Sequence, residues 1–207
     1  KRRSASQILR TRPVCSHLIT VFALELFDNR MKSMKLDTSN LELLSKLDPF
    51  VKLLGSCLTT KYEDILSASL RCLTRLVRLP LPSLASEADK IKATSLAIAE
   101  SSVNANSPLM EACLRLLVVL LQSTKVTLSS EQVHMLVLFP LFLDLERNPS
   151  SVALSLLKAI VRRKLVVPEI YDVILRVAEL MVTSQVESVQ KKCSQILLQF
   201  LREYDLT

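Results

Sequence analysis

The sequence predicts an all-α chain, a solenoid of antiparallel helix pairs with roughly nine to ten helices. Three observations carry this expectation: a single glycine, apolar residues at helical spacing almost throughout, and a column of small residues recurring every 40 to 44 positions.

Gly55 is the one glycine in 207 residues. The favoured hairpin turns need positive φ, which glycine adopts at least cost, so a sheet protein of this length needs many more. Loops that cradle phosphates need glycine for close backbone approach. The composition therefore excludes a β fold together with the Walker, Rossmann and kinase readings.

Apolar spacing predicts helices over about 14–34, 41–59, 62–79, 88–101, 108–122, 130–146, 150–164, 168–183 and 186–203. The links between them are short and polar or carry proline: Pro80-Leu81-Pro82-Ser83, Ser101-Ser102-Val103-Asn104, Ser129-Ser130 and Val167-Pro168. Asp48 before Pro49, Ser107 before Pro108 and Asn148 before Pro149 each set an N-cap residue type ahead of a first-turn proline. Pro140 falls inside the 130–146 segment and is expected to kink it.

The second helix of each pair repeats itself. Ser69, Cys113, Ala153 and Cys193 form the small column, at intervals of 44, 40 and 40 residues. Three positions on stand Cys72, Leu116, Leu156 and Ile196, and four on Leu73, Leu117, Leu157 and Leu197. Seven on stand Leu76, Leu120, Ile160 and Phe200, and eight on Val77, Leu121, Val161 and Leu201. Ile65, Leu109, Pro149 and Val189 lie four before. These offsets trace one helix face. A weaker copy at Ala23, with Leu26 and Phe27, fails at Arg30. A pair of about 40 to 47 residues is the HEAT or armadillo period, and each pair has an apolar face only a stacked neighbour can bury. Residues 1–207 thus read as one HEAT-like array. The basic start Lys1-Arg2-Arg3 has no apolar region behind it, so it is not a signal peptide. With no polar cap at either end, the chain reads as a piece of a longer solenoid.

Hydrophobic residues make up 49% and charged residues 23%, which fits neither a disordered nor a membrane chain. The longest apolar stretch, Met135 to Leu143, contains Pro140 and falls far short of the about 20 residues a span needs; no membrane partner is expected. The cysteines are five, with no CxxC pair. Cys72, Cys113 and Cys193 fall in apolar helical stretches, where a free thiol behaves as a small buried hydrophobe, and a reducing compartment fits best. Cys15 and His17 are the one close Cys/His pair, and His134 stands alone, so ordinary packing outweighs a zinc site.

No nucleophile, base and orienting group come together in the sequence, so no catalytic residue, cofactor or small-molecule substrate is expected. Glu63, Asp64, Glu131, Glu169 and Asp172 stand at helix starts, where the macrodipole favours carboxylates. The basic excess is more informative, with 27 Lys and Arg against 20 Asp and Glu. Nine positions after the small column stand Arg78, Gln122, Arg162 and Arg202, with Arg71, Arg75, Arg115, Lys158, Arg163, Lys164, Lys191 and Lys192 around them. Arg78, Arg162, Arg202, Lys158 and Arg163 form the candidate contact row for phosphate backbones or acidic peptides. The competing reading is that cations near helix C-termini compensate the dipole without any ligand. Aromatic residues are 4% of the chain with no tryptophan, so nucleic-acid contact would go to backbone and shape rather than stacked bases.

Two stretches carry a resemblance. One is Leu47-Asp48-Pro49-Phe50-Val51-Lys52-Leu53-Leu54, continuing through Ser69-Leu70-Arg71-Cys72-Leu73 to Pro80-Leu81-Pro82-Ser83-Leu84. The other is Leu156-Leu157-Lys158-Ala159-Ile160-Val161-Arg162-Arg163-Lys164-Leu165-Val166-Val167-Pro168-Glu169-Ile170. Both resemble the family of the very large HEAT-repeat subunit of the small-subunit processome, the "down-regulated in metastasis" family. The resemblance covers residues 47–206, thinly between 86 and 108, and does not place residues 1–46. It departs at Tyr204-Asp205-Leu206, where the family more often reads Tyr-Pro-Leu. It implies a non-catalytic nucleolar scaffold in ribosome biogenesis, whose partners are other processome proteins, pre-ribosomal RNA and a small nucleolar ribonucleoprotein. The alternative is a HEAT adaptor or transport receptor that binds protein partners.

Overall fold

Helical periodicity becomes helix wherever a cap or a proline does not interrupt it. The computed structural model describes residues 5–34, 38–102, 104, 107–147 and 149–204, with side chains from Ser16 onward. Among these residues lie ten helices and no strand: α1 Ala5–Ser33, α2 Leu41–Cys57, α3 Glu63–Leu76, α4 Leu84–Ser101, α5 Pro108–Ser123, α6 Ser130–Val137, α7 Pro140–Leu143, α8 Ser151–Arg162, α9 Glu169–Thr183 and α10 Glu187–Glu203. No described helix is long and apolar enough to cross a membrane.

The chain forms two compact units, one up to Lys90 and one from Ile91. In the first, α3 packs against both α1 and α2. In the second, α5, α8 and α10 stack in succession, with α9 against α10 and α6 against α9. Neighbouring helices thus pack as in an all-α solenoid.

The small column is the floor of that packing. Ser69, Cys113, Ala153 and Cys193 are each 0% exposed, because a larger side chain there would hold adjacent helices apart. The positions three and seven on are buried in all four helices. In α10 the pattern loosens: Leu197 is half-buried and Leu201 is 59% exposed. The first copy lies one residue later than the spacing suggested. Leu24, Asp28 and Met31 are buried and Phe27 half-buried, while Ala23, Leu26 and Arg30 are exposed. The failure at Arg30 was a slip of register.

Three start signals have different outcomes. Ser107 caps α5 by accepting from the Met110 N–H, with Pro108 in the first turn. Asp48 caps nothing of its own, since Pro49 lies inside α2. Its carboxylate instead accepts from the Ser83 N–H (2.8 Å) and hydroxyl (2.6 Å), just ahead of α4. Asn148 lies outside the described residues; α8 is capped by Ser150, which accepts from Ala153 N–H. The segment expected as one kinked helix is two, α6 and α7. Phe139 is extended (φ −61°, ψ 145°), as the clash with a following proline ring favours.

Gly55 takes no positive φ. Lys164 does, at φ 56°, where α8 ends in a Schellman turn. Leu165 N–H bonds back to Ile160 O and Lys164 N–H to Val161 O, the two bonds that define the motif and usually call for glycine.

Candidate nucleic-acid interface

Burying one face of α3, α5, α8 and α10 fixes what the opposite face shows. Counted from the small column, offsets of −2, +2, +5 and +9 fall on a single stripe away from the core. On α3 it carries Ser67, Arg71 and Thr74, with Arg78 two residues past its end; on α5 Glu111, Arg115 and Gln122, with Val118 at the same register buried. On α8 it carries Ser151, Ser155, Lys158 and Arg162; on α10 Lys191, Gln195, Leu198 and Arg202. Every charged residue on these stripes is a cation except Glu111, which is occupied by Arg115 at 2.6 Å. The layer formed by α6 and α9 has the opposite sign, with Glu131, Glu169, Asp172 and Glu179 against Arg176.

Arg78, Arg162 and Arg202 are exposed, and no described side chain pairs with them. Arg162 and Arg202 stand on helices that pack together; Arg78 belongs to the first unit. Lys158 is half-buried and donates to Gln195 Oε1 at 2.7 Å, tying α8 to α10. Arg163 is turned inward. Its Nε and Nη2 donate to Leu121 O (2.9 and 2.6 Å) and Nη2 also to Thr124 O (2.5 Å), so it closes the carbonyl end of α5 as the dipole reading expects. Lys164 Nζ meets Glu203 at 2.8 Å, and Lys192 bonds Ser151 on α8.

Tyr204, expected near the end of the last helix, donates its hydroxyl to Leu165 O at 2.7 Å. Burial, with Tyr171 and Glu203 nearby, pushes its pKa up to about 12. The ends of α5, α8 and α10 are therefore fastened in sequence by Arg163 and Tyr204. Arg162 is thus the neighbour of one anchored residue, Arg163, and Arg202 lies two residues before the other, Tyr204.

Sequence reasoning missed the other cation site. Arg75, grouped with the basic surroundings, reaches the buried Asp28 on α1, and Lys32 approaches the same carboxylate at 3.0 Å. Burial alone would raise the Asp28 pKa, but the hydrogen bonds from Arg75 and Lys32 outweigh it and hold the carboxyl below its usual range. Cys72 lies against this cluster, its thiol donating to Leu24 O at 3.4 Å. Burial first, then the Asp28 charge, pushes its pKa up to about 12. Cys113 is likewise pushed to about 12 by burial, and Cys193 upward, so all three are the inert packed thiols the sequence suggests.

His17 and His134 are spent on carboxylates. His17 Nε2 lies 2.7 Å from Asp64 with its ring against Tyr62, and His134 Nδ1 lies 3.0 Å from Glu169. The side chain of Cys15 lies outside the described residues. Among those described, no group of three or more His, Cys, Asp or Glu is placed to hold a metal.

No family model matches the chain. Two curated relatives do, both called U3 small nucleolar RNA-associated protein 20. That of Saccharomyces cerevisiae is 30% identical over 164 residues, 78% of this chain, and that of Schizosaccharomyces pombe 26% over 156 residues, 75% of this chain. The match spans 6% of the length of each relative. Over about three quarters of its length, this chain is thus a homologue of a segment of U3 small nucleolar RNA-associated protein 20.

Proposed function

We propose that the chain is a non-catalytic scaffold segment in ribosome biogenesis, working in the nucleolus within the small-subunit processome and supporting small-subunit pre-ribosomal RNA processing. The observation that carries this reading is the 30% identity over 164 residues to a protein named for association with U3 small nucleolar RNA. The stacked helices support it, since a solenoid offers surface and not an enclosed pocket. The outward cations support direct contact with RNA phosphates, through Arg162 and Arg202 with Lys158 in the second unit and through Arg78 in the first. Other processome proteins would cover the remaining surface.

The test uses the full-length protein that contains this segment. Tagged and recovered from nuclear extract, it should enrich U3 RNA well above a spliceosomal small nuclear RNA of similar abundance. Equal recovery of the two RNAs refutes the assignment. Recovery of a nuclear transport GTPase in place of U3 would favour the transport-receptor reading.

A further inference from the structure

We infer that the outward face of α8 and α10 takes the phosphate backbone of double-helical RNA. This rests on the RNA-contact reading above and adds which form of RNA fits.

The first observation is breadth. On α10 the stripe runs from Lys191 to Arg202, eleven residues, or about 16 Å at 1.5 Å per residue. Packed helix axes lie about 8–10 Å apart, so Lys158 and Arg162 on α8 extend the charge sideways from α10. A single strand presents one row of phosphates and calls for a line of cations. A duplex presents two rows that border a groove, and a broad patch of cations faces both.

The second observation is what the face lacks. Single-strand binders combine positive charge with aromatic platforms on which bases stack. Phe200 is the one aromatic residue on α5, α8 and α10, and it is buried in the core at 4% exposure. On α8 and α10 the neutral residues beside the cations are Ser155 and Gln195, donors and acceptors suited to phosphate and 2′-hydroxyl oxygens, and the exposed aliphatic Leu198.

The third is preorganisation. Arg163 bonds to the carbonyl end of α5 and Tyr204 to Leu165 O just past the end of α8, so Arg162 and Arg202 are carried on helix ends already held in place. Less order is lost on binding when the contact residues sit on fastened elements.

The experiment measures binding of the whole chain to a fully paired RNA duplex of arbitrary sequence, to oligouridine of the same charge, and to polyglutamate as competitor. The duplex is expected to bind about tenfold or more tighter than oligouridine at 0.1 M salt, with little competition from polyglutamate. Arg162→Glu with Arg202→Glu should weaken duplex binding about tenfold or more and flatten the log-affinity against log-salt slope by about 1.5–2, since two phosphate contacts are lost. The control reversal Lys46→Glu with Lys52→Glu on α2 should stay within about twofold, and circular dichroism checks that both variants are folded. If oligouridine binds as tightly as the duplex, the duplex inference is overturned while RNA contact stands. If polyglutamate displaces the duplex at equal charge, or the two reversals behave alike, this face is not the RNA surface. U3 enrichment without any direct RNA binding overturns the inference and leaves the scaffold reading intact.

Discussion

Asp28→Asn removes a charge and turns one of two accepting oxygens into an amide donor, at a carboxylate only 4% exposed that two cations share. Abandoning one partner of a fully buried pair costs about 3–5 kcal/mol. Here the Arg75 side chain remains 31% and the Lys32 side chain 52% exposed. Water can solvate the cations left behind, and the expected cost falls to about 1–3 kcal/mol. The loss should appear as opening between α1 and α3, and Cys72 reports on it directly, because its thiol is held against Leu24 O. With Cys15 and Cys57 replaced by serine, Cys72 in the Asn variant should react with a thiol reagent about 5- to 150-fold faster. Cys113 and Cys193, in the second unit, should keep their rates. The pH dependence has a definite sign. The folded pKa of Asp28 is depressed, so its contribution is complete above the unfolded value of about 3.9 and is lost as pH falls through the folded value. In urea unfolding the gap between parent and variant should be constant near neutrality and close in acid. An unchanged Cys72 rate in Asp28→Asn would refute the claim that this cluster holds α1 on α3.

Three further outcomes follow from burial and hydrogen bonding. Ala153→Leu should destabilise by about 1–3 kcal/mol by overpacking, while Gln122→Leu, on an exposed position, should change urea stability little; equal effects would mean the column is misplaced. Ser150 is unsuitable as that control, since it caps α8. Ser69→Ala should be neutral or stabilising by up to about 1 kcal/mol, because the Ser69 hydroxyl is buried without a hydrogen-bond partner; a clear loss would show that it has one. Arg163→Ala should cost about 1–3 kcal/mol by freeing the Leu121 and Thr124 carbonyls, with Lys recovering part, and a thermal midpoint equal to the parent's would show that these bonds do not fasten α8 to α5.

The sequence made the helices legible because burial repeats. Ser69, Cys113, Ala153 and Cys193 answer to the same constraint, so their spacing is visible without a structure. Signals read singly fared worse. Asp48 before Pro49 looks like a cap, yet a proline is tolerated inside α2 and the carboxylate is used 35 residues away at Ser83. Arg30 looked like a break in the pattern because the register had slipped by one, which hid Asp28 at a position that elsewhere holds leucine. Nothing local marks Asp28 as buried; only its partners on α1 and α3 allow it.

Exposed columns obey a weaker rule, which is why the candidate interface was only partly legible. At offset +9 the residues are Arg78, Gln122, Arg162 and Arg202, and no packing constraint fixes them. What recurs on the outward side of each helix, Glu111 apart, is the sign of charge. Identity and position drift, from Arg71 on α3 to Arg115, Lys158 and Lys191 on α5, α8 and α10. A surface that reads bases would need particular side chains at particular places. A surface that meets a phosphate backbone needs only enough positive charge facing one way. Arg163 illustrates the limit of sequence: it is one residue from Arg162, equally basic, and turned to the carbonyls of α5 because it follows the last helical turn of α8. Neighbouring cations in the sequence thus divide into one that fastens the stack and one that the stack presents.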